Sequence, residues 1–313
     1  MKITAIGEIL IDMTQTHVDE NGVPHFAAIP GGAPANVAVA VSKLGGNAAF
    51  IGCVGDDQYG RLLRDTLIRF DVSVEGLQTT DRANTTLAIV TVDPTGERSF
   101  SFYRKPGADT QINAEEAVKN AANTDILHFG SVSLTDPGCR AAVTSAVRAA
   151  KNAGALITYD PNYRSALWEN EETAMEQMRA VLPLCDIVKI SDEETMLLCG
   201  VREPEEASEK LMGMGIRLAV VTLGARGALW RYGDMQGMVP GFQVKVADTN
   251  GAGDTFFGAL LNRIAVRGGL DGLTAEEING IVRFANKAAS ITASRPGAIP
   301  AMPVLSEVQE GLK

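Results

Sequence analysis

Short, nearly continuous apolar runs alternate with longer stretches of helical period along most of this chain. Ile3 to Ile11, Ala49 to Val54, Ile126 to Phe129, Leu156 to Asp160, Ile187 to Ile190 and Ala219 to Leu223 have strand length and little polar interruption. Runs of that kind belong to strands buried on both faces. Arg140 to Ala153, Glu172 to Leu182 and Glu205 to Met214 lie between the later runs and read as helices. Further helices are expected from Pro34 to Leu44, Phe256 to Val266 and Ala275 to Thr292, the first opened by a proline and ended at Gly45. Strands alternating with helices predict a mostly parallel sheet with helices on both faces.

Two stretches break this alternation. Residues 13–30 are polar and contain Asn21-Gly22, while Thr85 to Val92 and Arg98 to Tyr103 flank Asp93-Pro94-Thr95-Gly96. Both read as hairpins. We expect them to pair as a small separate sheet over an α/β core made of residues 1–12, 31–83 and 105–313. A lid of residues 13–30 and 84–104, with one exposed face carrying Phe102 and Arg104, would then suit closure over a ligand or pairing with a second copy. No internal repeat or low-complexity tract occurs.

Composition narrows the class of function. With 313 residues, 45% hydrophobic and 21% charged, the chain is an ordinary globular one. It has no run of about 18 apolar residues, so no membrane span is expected. Glu8 and Asp12 inside the first apolar run are foreign to a secretory signal, and a cytoplasmic location is the expectation. The net charge of −10 argues against a nucleic-acid surface. It also requires that any polyanionic ligand be met by local devices such as backbone amides, a few Arg or Lys and a divalent cation. Cys53, Cys139, Cys185 and Cys199 are too dispersed for a metal pair or a disulfide scaffold, and His17, His25 and His128 lack ligand spacing.

The candidate chemistry collects at strand ends and before one helix. Gly251-Ala252-Gly253 can turn tightly in front of an apolar helix, which makes an anion site of free amides. Asp254 stands beside it. Two readings hold at this stage: a helix N-cap, or a general base placed where a phosphoryl group arrives. Asp12 ends the first apolar run, and Gly31-Gly32 precede a helix that begins near Asn36, whose amide suits a vicinal diol. Asp160-Pro161-Asn162-Tyr163-Arg164, Lys189 with Ser191-Asp192-Glu193-Glu194, and Thr222-Leu223-Gly224-Ala225-Arg226-Gly227 follow three more strands. Several polar clusters at one sheet edge describe a ligand crevice. No Gly-x-Gly-x-x-Gly follows the first strand and no Gly-x-x-x-x-Gly-Lys-[Ser/Thr] occurs, which disfavours a Rossmann dehydrogenase and excludes a Walker A kinase.

These residues also carry a resemblance. Gly31-Gly32-x-x-x-Asn36-x-Ala38 with Gly52-x-Val54-Gly55-x-Asp57-x-x-Gly60, and Asp248-Thr249-x-Gly251-Ala252-Gly253-Asp254-x-Phe256-x-x-Gly258, resemble the two signatures of the ribokinase-like carbohydrate and nucleoside kinases. Gly7-Glu8-x-x-x-Asp12, Asp160-Pro161-Asn162-x-Arg164 with Leu167-Trp168, and Lys189-x-Ser191-x-Glu193-Glu194 are most similar to fructokinases within them. The resemblance implies ATP-dependent phosphorylation of a primary sugar hydroxyl beneath the lid, with Asp254 as base and Gly251, Ala252 and Gly253 as anion hole. It implies sugar contacts from Asp12, Gly31, Gly32, Asn36, Phe102, Arg104 and Arg164. Lys189, Thr222, Gly224, Ala225, Gly227 and Asn286 are implied for the nucleotide. Glu194 is implied for water-mediated Mg²⁺, its usual Asn partner being Ser191 here, and Asp248 and Asn250 for K⁺. A homodimer through the lid is a further implication. The alternatives are a 2-keto-3-deoxygluconate kinase, whose acid substrate would want Arg104 and Arg164, and a non-catalytic sugar sensor of the same fold.

Overall fold

The computed structural model describes residues 1–92 and 98–312, so the expected Asp93-Pro94-Thr95-Gly96 turn lies outside the described residues. The chain begins with β1 (Lys2–Ile6), an antiparallel pair β2 (Leu10–Val18) and β3 (Pro24–Gly31), and helix α1 (Ala33–Lys43). Next come β4 (Asn47–Gly55), α2 (Gln58–Arg69), β5 (Ser73–Thr80) and a second antiparallel pair, β6 (Leu87–Val92) and β7 (Arg98–Tyr103). A regular series follows: α3 (Ala114–Ala121), β8 (Ile126–Gly130), α4 (Pro137–Asn152), β9 (Leu156–Asp160), α5 (Glu171–Ala180) and β10 (Ile187–Ser191). It continues through α6 (Thr195–Cys199), α7 (Pro204–Gly213) and β11 (Leu218–Thr222) to the hairpin β12 (Gly227–Tyr232) and β13 (Met235–Pro240). Helices α8 (Ala252–Arg267), α9 (Ala275–Ala293) and α10 (Leu305–Glu310) complete the chain.

Among the described residues, nine strands form one sheet in the order β13-β12-β11-β10-β9-β8-β1-β4-β5. Its strands are parallel except at β12 and β13. Apolar layers cover both faces. Val37, Ala40, Phe257, Leu260 and Ile264 lie in one, and Phe129, Leu134, Val143, Ala146 and Ile157 in the other. Two covered faces are why these strands read as unbroken apolar runs. A separate sheet of order β3-β2-β6-β7 stands apart, its two hairpins joined by parallel pairing of β2 with β6. No helix among the described residues is long and apolar enough to cross a membrane.

Four elements differ from the sequence reading. Ile3 to Ile11, expected as one strand, is two strands in two sheets, parted at Gly7, whose φ of 149° directs the chain out of the core. Asp12 therefore belongs to the small sheet rather than to the end of a core strand. A run of apolar residues reports burial, and both sheets bury these residues. β5 was not anticipated because Ser73–Thr80 is an edge strand of mixed burial with too little apolar signal. β12 and β13 were also missed: the chain turns back antiparallel at the other edge, where strand–helix alternation gives no guide.

Candidate active site

The N-terminus of α8 is built by backbone conformation. Gly251 caps it in the left-handed region, φ 74°, with no side-chain cap, and a Cβ there would meet the Ala298 Cβ at 2.8 Å. The Ala252 amide donates back to the Thr249 carbonyl, while the Gly253 and Asp254 amides have no acceptor among the described residues. Free amides at a helix start attract an anion. Asp254 is the third residue of the helix, not its cap, which corrects the capping reading.

Helix α1 brings Asn36 to this carboxylate. A Cβ on Gly258 would lie 2.7 Å from the Ala40 Cβ and 2.9 Å from the Val37 carbonyl oxygen, so only glycine lets α8 approach α1 this closely. The approach allows Asn36 Nδ2 to donate to Asp254 Oδ2 at 2.8 Å. Burial raises the Asp254 pKa above its ordinary value, while the Asn36 hydrogen bond and the charges of Lys189 and Arg164 oppose the rise. A buried carboxylate of raised pKa, held in one rotamer by an amide, is suited to accept a proton.

Asp254 faces a cavity of about 80 Å³ lined also by Glu8, Leu10, Asp12, Gly32, Asn36, Phe102, Val132, Asn162, Arg164, Leu167 and Asn250. The small sheet supplies Leu10, Asp12 and Phe102, so the cavity lies between the two sheets. The structure thus brings Asp12, Gly32, Asn36, Phe102 and Arg164 together around Asp254. Asn36 Oδ1 is buried without a donor among the described residues, an acceptor that a bound hydroxyl would satisfy. The Asp12 pKa is raised to about 6 by burial, which Arg164 and Asn250 oppose and Asp254 and Asp248 reinforce.

A second cavity, about 270 Å³, adjoins the other side of the same helix turn. Thr222, Gly224, Ala225, Gly227, Gly241, Phe242, Val244, Val246, Thr249, Ala252, Gly253, Asn286, Ala289 and Ser290 are among its walls. Thr222, Gly224, Ala225, Gly227 and Asn286 had been expected here. Phe242, Val244 and Val246 had not, although they alternate in sequence just after β13. Val246 is 58% exposed, and an open apolar wall of this kind matches the face of a planar ring. Asn286 donates Nδ2 to the Val239 and Pro240 carbonyls at 3.1 and 3.3 Å, and so fixes that wall.

Several expected residues are placed elsewhere. Arg104 does not line the smaller cavity: its Nε donates to Asp109 Oδ2 at 2.7 Å, its Nη1 to Thr135 Oγ1 at 2.6 Å and its Nη2 to the Val132 carbonyl at 3.1 Å. Gly31 ends β3 opposite Leu10, outside the cavity walls. Lys189 is not in the wall of the larger cavity. It sits on a buried strand, where an ammonium needs a partner, and donates to Asp160 Oδ2 at 2.7 Å. Its Nζ lies beneath Gly253, 3.3 Å from where a Cβ would stand. Glu194 accepts from the Ser191 amide and hydroxyl and from the Tyr163 amide. Asp248 accepts from the Asn250 and Gly297 amides, and Asn250 also lines the Asp254 cavity. Sequence reasoning did not assign Glu8 or Asn162 to the site. An acid inside an apolar run was the available signal for Glu8. Asn162, with a left-handed φ of 46°, offered none beyond its cluster.

The model of the pfkB family of carbohydrate kinases matches residues 1–305. Probable fructokinase-4 of Arabidopsis thaliana is 41% identical over 318 residues, covering 99% of this chain and 96% of the relative. Fructokinase with bound ATP from Xylella fastidiosa superposes with a TM-score of 0.91 at 36% identity, covering 100% of this chain and 99% of that one. Fructokinase from Vibrio cholerae O395, in a form binding fructose, ADP and calcium ion, superposes with a TM-score of 0.89 at 31% identity over 100% and 99% of the two chains.

Proposed function

This chain belongs to the pfkB family of carbohydrate kinases, and on that premise we propose how its own residues carry out the ATP-dependent phosphorylation of fructose. It is an ATP-dependent sugar kinase, and its full-length similarity to fructokinases makes it a fructokinase. One observation carries the residue-level reading. Consecutive residues of a single helix turn face two cavities, Asp254 the smaller and Ala252 and Gly253 the larger. A proton acceptor and an anion site are thereby held within one turn of each other, as transfer between a hydroxyl and a phosphoryl group requires.

Asp12, Asn36 and Arg164 bind the fructose hydroxyls and leave the primary C6 hydroxyl at Asp254. As that oxygen forms its bond to the γ-phosphorus of ATP, its proton passes to an Asp254 carboxylate oxygen and the bond to the β-phosphate oxygen breaks, releasing ADP. Asn36 keeps the accepting carboxylate in place. The Gly253 and Asp254 amides, with the Lys189 charge beneath them, stabilise the migrating group. Mg²⁺ on the phosphate oxygens would neutralise further charge. The residues fit such an ion, since Mg²⁺ is normally held by substrate phosphates, waters and one or two carboxylates. Asp160, whose Oδ1 is buried without a partner, and Glu194 would supply those carboxylates. The Asp248 carboxylate and the Asn250 carbonyl would hold K⁺ at the neighbouring loop.

The charge of the sugar cavity favours a neutral ketose over a keto-acid. The carboxylates of Asp12 and Asp254 line it against Arg164, since Arg104 is engaged by Asp109. The lid of this reading comprises Leu10–Gly31 and Leu87–Tyr103. Its exposed Val18, Phe26 and Tyr103 support a homodimer through the lid, and four buried free cysteines agree with a cytoplasmic protein. An ATP-coupled assay over fructose, 2-keto-3-deoxygluconate, ribose and nucleosides tests the reading. Fructose should give the highest kcat/KM, and preference for the keto-acid would overturn the charge argument.

A further inference from the structure

The backbone passes between the two sheets four times, near residues 7–9, 31–32, 81–86 and 103–107. These crossings are bound together by buried ionic groups that the phosphoryl-transfer reading leaves unused. Glu8, on the first, accepts from the Ala33 amide at 3.2 Å just past the second. Asp109, just past the fourth, accepts from Thr86 Oγ1 on the third and from Arg104 Nε. The Ala108 amide adds a bond to the Asn84 carbonyl at 2.9 Å.

Both knots meet at one short turn, Val132–Leu134. Ser133 Oγ donates to Glu8 Oε2 at 3.3 Å, and Arg104 Nη2 donates to the Val132 carbonyl. Val132 lines the sugar cavity from the core, and Phe102, two residues before Arg104, lines it from the lid. The Arg104 and Asp109 side chains are 6% and 0% exposed. An ion pair this deeply buried is seldom the most stable filling of its space, so stability alone does not account for it. What the guanidinium supplies is a planar fork reaching three acceptors in different directions, which an ammonium cannot reproduce.

We propose that Arg104 is a positioning residue for the kinase reaction: it clamps the lid's exit to the Val132–Leu134 turn and so holds Phe102 and Val132 at the separation that encloses the sugar. The inference rests on the fructokinase reading, and fructose phosphorylation by the wild-type chain is therefore established first. Failure there would overturn that reading rather than the clamp.

The test compares Arg104→Lys, Arg104→Met and the double variant Arg104→Met with Asp109→Leu, measuring melting temperature, KM for fructose and for ATP, and ATP hydrolysis without sugar. Arg104→Lys keeps a cation beside Asp109 but loses the fork. Its KM for fructose should rise about tenfold or more, as small misplacements at a reacting centre do, with KM for ATP changed less than about twofold. Arg104→Met leaves Asp109 buried and unpaired, and its melting temperature should drop. The double variant removes that unpaired charge and should recover the melting temperature while keeping the raised KM for fructose and an increased futile hydrolysis of ATP. Wild-type KM in Arg104→Lys, or recovery of KM together with melting temperature in the double variant, would reduce Arg104 to a structural role. Should Arg104→Met fail to fold, the other two variants decide the matter.

Discussion

At the scale of single residues, the hydrogen-bonded pair of Asp254 and Asn36 is the unit on which the proposed reaction rests. Asp254→Asn keeps the shape and removes the proton acceptor. Its kcat should fall by at least about 10²-fold while fructose and ATP still bind, as loss of a general base predicts. Turnover near the wild-type rate would return Asp254 to a merely structural role. The acid side of the pH profile follows from burial. In the proposed reaction both Asp254 and Asp12 act as carboxylates, and burial raises both pKa values, Asp12 to about 6. Lowering the pH protonates them, so kcat/KM for fructose should decline as pH falls through about 6, well above the ordinary aspartate range near 4. Glu8 gives a stability effect of definite sign. Burial raises its pKa from 4.5 to about 7. The folded state therefore favours its neutral form, and the stabilisation present below the unfolded value is lost as pH rises through the folded one. Glu8→Gln should accordingly show a smaller decrease in melting temperature between pH 5 and 8 than the wild type, and an equal decrease would contradict the assignment. The types of these residues were legible in the sequence. Their partners were not, because Asn36 and Asp254 are 218 positions apart.

At the scale of elements, the site depends on how closely α1 and α8 pack. Gly258 sets that distance for the reason already given, the short gap to Ala40 and Val37. Gly258→Val should push the helices apart, lengthen the Asn36–Asp254 hydrogen bond and lower kcat. Overpacking a core contact of this kind costs about 1–3 kcal/mol, so thermal unfolding should register it as well. Sequence patterning found both helices and the core strands from β8 to β11. Period alone joined the start of β2, Leu10 to Asp12, to the first core strand and missed β5, β12 and β13, because polar edge strands and antiparallel returns carry no distinctive spacing.

At the scale of the whole molecule, the smaller cavity lies between the two sheets and the larger one at one edge of the larger sheet. The lid strands leave Val18 and Phe26 exposed, at 52% and 36%. If lid sheets pair between copies, Phe26→Glu should shift sedimentation from dimer toward monomer and raise KM for fructose, since a paired lid would be steadier. An unchanged sedimentation coefficient would remove the lid from the interface.

The sequence by itself determined the fold class, the two glycine-rich signatures and which polar residues gather at the strand ends, because strand burial, turn conformations and anion-binding amides are local properties of residue type and spacing. Tertiary structure alone decided what each polar group faces. Arg104, expected at the sugar, donates instead to Asp109, Thr135 and Val132, which surround it once the chain is folded. Lys189, expected at the nucleotide, lies under the anion site because Asp160 on the adjacent strand satisfies its charge. A charged side chain in a buried place goes to the partner that compensates its lost hydration, and that partner is set by which strands become neighbours.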